Sequence, residues 1–338
     1  MTARLTGMTT LAPAATARDS ASPVHTGLHV ALWFAVAGCA AWAAVRVFGL
    51  DHLGGPLYPL IAFTPYVAGG TVVVTGLACA LRSWWAAGVA AGVAITLLVC
   101  VLPRGFATGG GAADGPRLRV LSSNMMIGAA DAATIVRLVR DQGVQVLAVQ
   151  EFTPEAEQAL DAAGLAELLP HRVSYPQPGA GGSGLFSRFP LRDDGLRTLP
   201  SGFTQAAATI QVPGAREVAL ESAHPCAPLP PDCSRIDLTA EPRASRDGTV
   251  RVLIGDFNAT LDHVRLRRLI ASGYRDAAAA TGDGFTASWP YDERRWIPGV
   301  TIDHVLVDRR VGVTRYAAHT VPATDHRAIF TELVLPRS

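Results

Sequence analysis

The chain has 338 residues and a formal net charge of +1, and every basic residue is an arginine. A charge this close to zero excludes a protein that attracts nucleic acid through a large overall positive charge. The apolar residues are concentrated in the first third, so composition divides the chain into an apolar part and a part typical of a soluble domain.

Residues 1–26 are polar and rich in Ala, Thr and Ser, which predicts a disordered cytoplasmic tail. The next region, 27–103, contains three apolar runs at about 28–47, 57–81 and 84–102. Each run is long enough to cross a hydrocarbon core of about 30 Å as a helix. One such run could be a buried helix of a soluble protein. Three in succession, almost without charge, predict a multi-pass region of three transmembrane helices embedded in the lipid bilayer.

The basic residues around these runs predict the orientation. Arg4 and Arg18 precede the first run and Arg82 separates the second from the third, which favours a cytoplasmic location for these positions. Three spans then place the rest of the chain outside the cell. Arg46, near the end of the first run, is expected to extend toward the membrane interface. Since no run carries a polar stripe, an anchor is favoured over a small transporter with an accessory domain.

Residues 104–116 are rich in Gly and Ala, which predicts a flexible linker. From 117 to 338 the pattern becomes that of a domain with both strands and helices. Helices are predicted at 131–142 and 154–169, and strands at 119–124, 144–149, 184–187, 218–222, 250–254, 301–307 and 328–335. Because strands and helices mix without strict alternation, we expect an α+β layered sandwich rather than a doubly wound parallel sheet.

The segment VLIGDFNAT (252–260) is a β-branched apolar run that ends in two polar side chains. Asp256 and Asn258 are two residues apart, so they face the same side of an extended segment. A carboxylate can take a proton from water, and an amide N–H can hold a phosphoryl oxygen. Taken alone, the pair is equally well explained as an ordinary turn after a strand.

Polar side chains also follow or precede the other predicted strands, namely Asn124, Glu151, His224, Asp303, Asp325 and His326. Each has an ordinary structural explanation when considered singly. Asp303, however, lies within a predicted buried strand and needs a partner, which His326 can supply. Carboxylates that gather at one end of a sheet repel one another unless a cation lies between them, and hard divalent ions take oxygen ligands.

These residues lie in motifs that occur in a characteristic order: LRVLSSNMMIG, VLAVQEFTPE, GGSGLFSRFPL, SAHP, VLIGDFNAT, FTASWP, TIDHVLV and ATDHRAIFTEL. The set resembles the endonuclease/exonuclease/phosphatase superfamily, which includes deoxyribonuclease I-like nucleases, neutral sphingomyelinases and inositol polyphosphate 5-phosphatases. The resemblance covers 117–338. It implies a catalytic domain with a four-layer α/β sandwich, in which two mixed sheets are flanked by helices and the site lies at one rim.

The resemblance also implies a divalent metal, Mg²⁺ or Mn²⁺. Glu151 is similar to the metal ligand of the family, Asn124 lies beside it, and Asp325 is a further candidate ligand. Some nucleases of the family carry a second acidic residue two places after the Asn, where this chain has Met126. One metal or two is therefore left open.

The remaining roles concern the reacting phosphate. Asp256 resembles the general base or water-orienting residue, and Asn258 and His224 resemble donors to phosphate oxygens. Asp303 resembles the partner that orients His326. His326 would then stabilise charge on the phosphoryl group or act as an acid.

Cys226 and Cys233 are the two cysteines of the second half, and they lie close together in a Pro-rich loop just after His224. This arrangement predicts a disulfide formed in an oxidising compartment. Two free thiols in a cytosolic loop are the alternative.

Together these features predict a membrane-anchored phosphoesterase with an outward-facing catalytic domain that acts on phosphate esters. The catalytic half holds 24 arginines and 25 acidic residues. An extracellular nuclease, a sphingomyelinase-like or inositol-phosphatase-like lipid headgroup hydrolase and a small-ester hydrolase all remain open. A non-catalytic membrane protein that binds phosphorylated ligands is the alternative of another class, and the complete polar set argues against it.

Overall fold

The structure is a computed structural model that describes residues 23–109, 111, 113–228, 233–245, 248–291 and 296–338. The predicted tail therefore lies outside the described residues as far as residue 22. The first helix already begins at Pro23, three residues before the predicted end of the tail.

The apolar third forms helices α1 (Pro23–Phe48), α2 (Leu57–Leu60), α3 (Thr64–Ala80) and α4 (Trp84–Val101). Three stretches are long and apolar enough to cross a membrane, namely Val24–Phe48, Leu57–Ala80 and Trp84–Gly105. We call residues 23–101, which contain α1–α4 and the short turns that connect them, the apolar bundle. Its helices pack through small side chains such as Ala78, Ala86 and Ala90, which allow the backbones to approach closely.

The second half contains twelve strands and six helices in its described residues. The strands are β1 (Arg117–Asn124), β2 (Val146–Gln150), β3 (His171–Tyr175), β4 (Ser183–Ser187), β5 (Leu191–Thr198), β6 (Thr204–Ile210), β7 (Val218–Ala223), β8 (Val250–Asp256), β9 (Tyr274–Asp276), β10 (Asp303–Asp308), β11 (Gly312–Thr320) and β12 (Arg327–Val334). The helices are α5 (Ala132–Asp141), α6 (Pro154–Ala162), α7 (Leu165–Leu168), α8 (Cys233–Ala240), α9 (Val264–Ala271) and α10 (Ala277–Thr281).

The strands form two mixed six-stranded sheets. The first has the order β11-β12-β1-β2-β4-β3 and the second the order β5-β6-β7-β8-β10-β9. Apolar side chains of both sheets, for example Val120 and Val252, meet in a shared core. Helices α5 and α6 cover the outer face of the first sheet through residues such as Ile135, and α8 and α9 cover the second through residues such as Leu266. These four layers confirm the predicted α+β sandwich.

Local boundaries differ from the predictions where backbone geometry or exposure overrides the pattern. The helix predicted at 154–169 is interrupted, because Gly164 adopts a left-handed φ of 90° between α6 and α7. Strand β5 was not predicted, because it is an edge strand whose Arg192, Asp193 and Asp194 are polar.

The segment predicted to be a flexible linker is attached to the catalytic half over its described residues. Thr108 donates its backbone N–H to Ala280, and Gly115 donates to Leu335, both across 3.1 Å. The backbone groups of a Gly-rich segment can be bound by a neighbouring surface, and the flexibility of this segment stays a prediction.

Arg46 also differs from its prediction. Instead of extending to a membrane interface, its side chain is buried and forms an ion pair with Asp262 of the catalytic half. Arg104, just after α4, binds the same carboxylate. The apolar bundle is therefore joined to the sandwich by a buried charge cluster.

Candidate active site

Strand register brings the polar residues of the first sheet to one rim. β1 and β2 run parallel, with Asn124 opposite Gln150. Glu151, which follows Gln150, is therefore adjacent to Asn124, and the amide of Asn124 donates to Glu151 Oε1 across 3.2 Å.

The second sheet aligns its own residues at the same rim. β7 and β8 run parallel with Ala223 opposite Gly255, so His224 and Asp256 follow side by side. A Cβ on Gly255 would lie 1.9 Å from the carbonyl oxygen of Ala223, so only glycine permits this approach. β10 runs antiparallel to β8 and places Asp303 opposite Asp256.

Asn124 links the two sheets at the centre of the site. Its amide nitrogen donates to Asp256 Oδ2 across 3.0 Å as well as to Glu151, while its oxygen accepts from the backbone N–H of Met126. Glu151 Oε2 in turn accepts from the backbone N–H of Ile127 across 2.9 Å. The two carboxylates are thus fixed on either side of one amide group.

Several of these residues hold strained backbone conformations. The φ angles of Met126, Glu151 and Asn258 are 47°, 53° and 49°, in the left-handed region that side chains disfavour. Each such residue costs about 1 kcal/mol or more, and this strain commonly clusters at functional sites.

His326 is oriented by Asp303, as the resemblance implied. Its Nδ1 lies 2.9 Å from Asp303 Oδ2, and its Nε2 lies 3.6 Å from Asp256 Oδ2. Burial alone would lower the pKa of His326, but the carboxylates of Asp303 and Asp256 outweigh it and raise the pKa to about 10. The ring therefore carries a positive charge at neutral pH.

The pKa of His224 is shifted in the opposite direction, downward. Its Nε2 lies 3.8 Å from both Glu151 Oε1 and Asp256 Oδ2, beyond hydrogen-bonding distance. Burial, together with the charge of His326, lowers the pKa of His224 to about 3. The site thus contains one charged and one neutral imidazole.

Asp256 lies between these groups. Its burial raises the pKa to about 7, and the carboxylates of Asp303 and Glu151 add to the rise, whereas the charge of His326 opposes it. The backbone N–H of Asn258 donates to Asp256 Oδ1 across 2.8 Å and holds the carboxyl group in place.

Asn258 and Asp325 complete the predicted set. One amide N–H of Asn258 donates to the carbonyl of Pro225 across 3.0 Å, which leaves its second N–H for another acceptor. Asp325 Oδ1 lies 3.8 Å from His326 Nε2, and Asp325 Oδ2 accepts from the indole N–H of Trp289 across 2.8 Å.

These side chains converge on one cavity of about 610 Å³, which is lined by Glu151, His224, Asp256, Asn258, Asp325 and His326 among others. Asn124 and Asp303 do not line the cavity, but each is hydrogen-bonded to residues that do. His304, by contrast, points away and is held by Asp276 and by the carbonyl of Ala259. The structure thus places every predicted site residue at one rim, and their individual roles remain predictions.

Residues 121–326 match the Endonuclease/Exonuclease/phosphatase family. The chain belongs to this family. No curated protein matches the chain.

Solved structures share the fold of this endonuclease/exonuclease/phosphatase protein. An endonuclease/exonuclease/phosphatase from Beutenbergia cavernae superposes with a TM-score of 0.50 at 17% identity, covering 65% of this chain and 72% of that chain. Humanized D. rerio TDP2 gives a TM-score of 0.51 at 14% identity, covering 64% and 98%. D. rerio TDP2 complexed with single strand DNA product gives 0.50 at 15%, again covering 64% and 98%. At these identities the likeness shows the fold alone.

The donor set of this family member fits a hard divalent cation. Glu151 and Asp325 present carboxylates to one cavity, and oxygen ligands are those that Mg²⁺ and Mn²⁺ prefer. Oxygen and nitrogen atoms of Asp256, Asp303 and His326 also lie within 4.8 Å of one another. Since Asp303 already binds His326 Nδ1, we regard that second group as a hydrogen-bonded relay rather than as ligands.

Sequence reasoning missed two residues that position the site, although both lie in the motif FTASWP. Ser288 Oγ accepts the backbone N–H groups of Ile302 and Asp303, each across 3.1 Å. Trp289 holds Asp325. The motif was noted only as part of the resemblance, since a serine and a tryptophan in a loop carry no local signal of their partners.

The loop after His224 contains the predicted disulfide. Cys226 and Cys233 are bonded to each other in the structure. Cys226 also donates its backbone N–H to Asp237 across 3.0 Å. Among the described residues, the other three cysteines are free and lie in the apolar bundle.

Proposed function

We propose that this protein is a membrane-anchored, divalent-metal-dependent phosphodiesterase whose catalytic half faces the outside of the cell. Its family provides the reaction class, the hydrolysis of phosphate esters. The observation that carries the proposal is the convergence of Asp256, His224 and His326 on one cavity.

Asp256 is the residue that activates water. Its carboxyl group lies in the cavity with a pKa raised by burial to about 7, close to the value expected of a general base that works at neutral pH. The water oxygen bonds to phosphorus as its proton moves to Asp256. The opposite P–O ester bond then breaks in line, without a covalent enzyme intermediate.

The two histidines and Asn258 hold the phosphoryl group. His326 is charged, so its Nε2–H stabilises the negative oxygens and can give a proton to the leaving oxygen. The neutral His224 and the free N–H of Asn258 contribute uncharged hydrogen bonds. Positioning of this kind supplies most of the rate enhancement in phosphoryl transfer.

Glu151, with Asn124 beside it and Asp325 across the cavity, would hold the cation. When bound, a divalent ion neutralises charge on the phosphate oxygens and on the leaving oxygen.

The test is hydrolysis of bis-p-nitrophenyl phosphate by the full chain in detergent, with Mg²⁺ or Mn²⁺ and with EDTA. We expect EDTA-sensitive activity that falls by 10²-fold or more in Asp256→Asn and His326→Ala. Asp308→Asn is the matched control, because Asp308 is also buried in the second sheet but pairs with Arg310 away from the cavity. Full activity in both site variants would refute the assignment of Asp256 and His326 to the active site. No activity in the unsubstituted chain would favour a non-catalytic protein that binds phosphorylated ligands.

The membrane anchor and its orientation are separate parts of the proposal. Large apolar side chains of the bundle face outward, such as Phe34, Val73 and Ile95, which are 76%, 62% and 63% exposed. A hydrophobic surface of this kind supports contact with lipid. External protease should digest the catalytic half in intact spheroplasts, and digestion only in inverted vesicles would overturn the outward orientation.

Nucleic acid remains the alternative substrate. The D. rerio TDP2 structure contains a single strand DNA product. The near-neutral charge of this catalytic half gives no comparable support for tight binding to a polyanion. Cleavage of plasmid or single-stranded DNA by the full chain tests this alternative directly.

A further inference from the structure

The catalytic cavity is not built by the catalytic half alone. Pro59, Ala62 and Phe63 of the apolar bundle line it together with Asp256 and His326. These three residues lie at the start of the second stretch that is long and apolar enough to cross a membrane, Leu57–Ala80. The cavity therefore extends from the reacting groups to the membrane-facing part of the chain.

Apolar side chains form the wall of the cavity between the reacting groups and the apolar bundle. Ala62 and Phe63 pack against Val300, Ile302 and Trp289 of the catalytic half in one hydrophobic cluster. The cavity is also lined by Met126, Phe203, Pro228 and Ile297. We call Phe63, Ala62, Val300 and Ile297 the apolar wall.

Polar contacts fix the apolar wall beside the site. Tyr66, one turn after Phe63, donates its hydroxyl to the carbonyl of Gly299 across 2.7 Å. Tyr58 Oη and Ser234 Oγ are hydrogen-bonded across 2.9 Å, and the Tyr58 ring packs edge-on against His263. The bundle and the catalytic half thus meet in a defined arrangement at the cavity.

Two residues that neighbour lining residues in the sequence have exposed apolar side chains. Ile127, next to Met126, is 56% exposed, and Trp296, next to Ile297, is 80% exposed. Isolated exposed apolar residues are common, but an exposed tryptophan is also typical of a membrane interface.

The charged side chains that line the cavity belong to the reacting groups and to the residues proposed to hold the cation. Among the described residues that line it, none is an arginine, and Arg294 and Arg295 lie outside the described residues. A channel for single-stranded nucleic acid instead combines cationic side chains along the backbone with aromatic stacking. The lining better matches a molecule with one phosphate ester group and a long apolar part.

We infer that the substrate is a membrane lipid with a phosphate ester headgroup, its ester at Asp256 and His326 and its apolar chain along the apolar wall. This inference rests on the proposed function. The chemistry is the same hydrolysis: the water oxygen bonds to phosphorus, one P–O ester bond breaks, and the leaving oxygen takes a proton. The bilayer supplies the substrate directly at the bundle side of the cavity.

The test compares esters that share a headgroup but differ in the apolar part. The full chain is placed in nanodiscs with Mg²⁺ or Mn²⁺. The lipids are dioleoylphosphatidylglycerol, dioleoylphosphatidylinositol and sphingomyelin, and each is compared with the chain-free glycerophosphodiester that carries the same headgroup. Bis-p-nitrophenyl phosphate and a single-stranded oligonucleotide complete the panel. We expect at least one lipid to be hydrolysed with a kcat/KM tenfold or more above that of its chain-free counterpart, because each buried methylene strengthens binding.

Variants of the apolar wall link the effect to this surface. Phe63→Ala and Ile297→Ser should each lower the ratio of lipid hydrolysis to bis-p-nitrophenyl phosphate hydrolysis about fivefold or more. Phe48→Ala and Ile236→Ser are matched controls, since these side chains are 73% and 47% exposed and do not line the cavity. They should leave the ratio unchanged, and a general loss of folding would lower both activities together.

The outcomes separate this inference from the proposed function. Hydrolysis of bis-p-nitrophenyl phosphate without hydrolysis of any lipid, or with equal rates for lipids and their chain-free counterparts, overturns the lipid inference and leaves the phosphodiesterase intact. Preferred cleavage of the oligonucleotide overturns it in favour of a nuclease. Failure to hydrolyse every ester refutes the proposed function itself.

Discussion

Arg46, in the last turn of α1, donates its Nε–H to Asp262 of the catalytic half across 2.7 Å, and both side chains are buried. Arg104, just beyond α4, donates two further hydrogen bonds to the same carboxylate, across 2.8 and 2.9 Å. Burial would raise the pKa of Asp262, but the hydrogen bonds and charges of the two arginines outweigh it and lower the pKa. The Asp262 carboxylate thus links the C-terminal ends of α1 and α4 to the sandwich.

Substitution of Asp262 by Asn should destabilise the whole chain. It leaves two buried guanidinium groups without their counter-charge, which typically costs about 3–5 kcal/mol. The measurement is thermal unfolding of the full chain in detergent. Asp161→Asn is the control, because its ion pair with Arg172 is largely exposed and should contribute less than about 1 kcal/mol. Equal shifts for the two variants would mean that the buried cluster does not hold the junction.

Asp303→Asn should lower kcat about 10- to 100-fold and leave KM nearly unchanged, since Asp303 orients His326 without lining the cavity. The matched control is Asp276→Asn, which removes the charge from the other buried Asp–His pair of the same sheet, Asp276 with His304. That variant should cost stability but not kcat of the folded enzyme. A rise in KM alone for Asp303→Asn would contradict an orienting role.

Stability should fall as pH rises because of Glu241, which shares Arg197 with Glu221 in a buried cluster. Burial, with the charge of Glu221, raises the pKa of Glu241 from 4.5 to about 8. Between these values the unfolded chain loses a proton that the folded chain keeps, so this contribution is full below pH 4.5 and is lost as pH approaches 8.

Thermal unfolding of the full chain from pH 5 to 8.5 measures this effect. Glu241→Gln should flatten the decline, by at most about 1.4 kcal/mol per pH unit. Glu332→Gln is the control, since hydrogen bonds from Arg119 and Thr314 outweigh burial and lower the pKa of Glu332 below 4.5. Its contribution is lost only as pH falls below that value, so this variant should leave the slope between pH 5 and 8.5 unchanged. An unchanged slope in Glu241→Gln would show that Glu241 ionises normally in the folded protein.

The Cys226–Cys233 bond should stabilise the loop beside His224. The cysteines are separated by 7 positions, and closing a loop of that size is worth roughly 2–3 kcal/mol through the unfolded state. We expect a corresponding loss of stability in the double Cys226→Ser, Cys233→Ser variant. Mass spectrometry of protein alkylated in intact membranes should find the pair oxidised. Two alkylated thiols would instead indicate a reducing compartment and contradict the outward orientation.

The apolar helices and the sandwich layers could be predicted from the sequence, because they depend on short-range patterns. An apolar run such as 84–102 is recognisable by its length and lack of charge, and it became α4. The strand ends at Asn124 and Asp256 were equally visible as apolar runs followed by polar side chains. Their convergence was expected only through the family resemblance.

Tertiary structure decided which distant residues became partners. Arg46 and Asp262 are 216 positions apart, and nothing in either local pattern selects the other. The same holds for Phe63 at the catalytic cavity and for Ser288 beneath Asp303. Local periodicity determines which face of an element is buried, whereas the partner on that face is set by how the layers and the apolar bundle pack together. The sequence alone therefore determined the apolar helices, the layers and the candidate reacting groups, and only the packed structure showed that the apolar bundle forms part of the site.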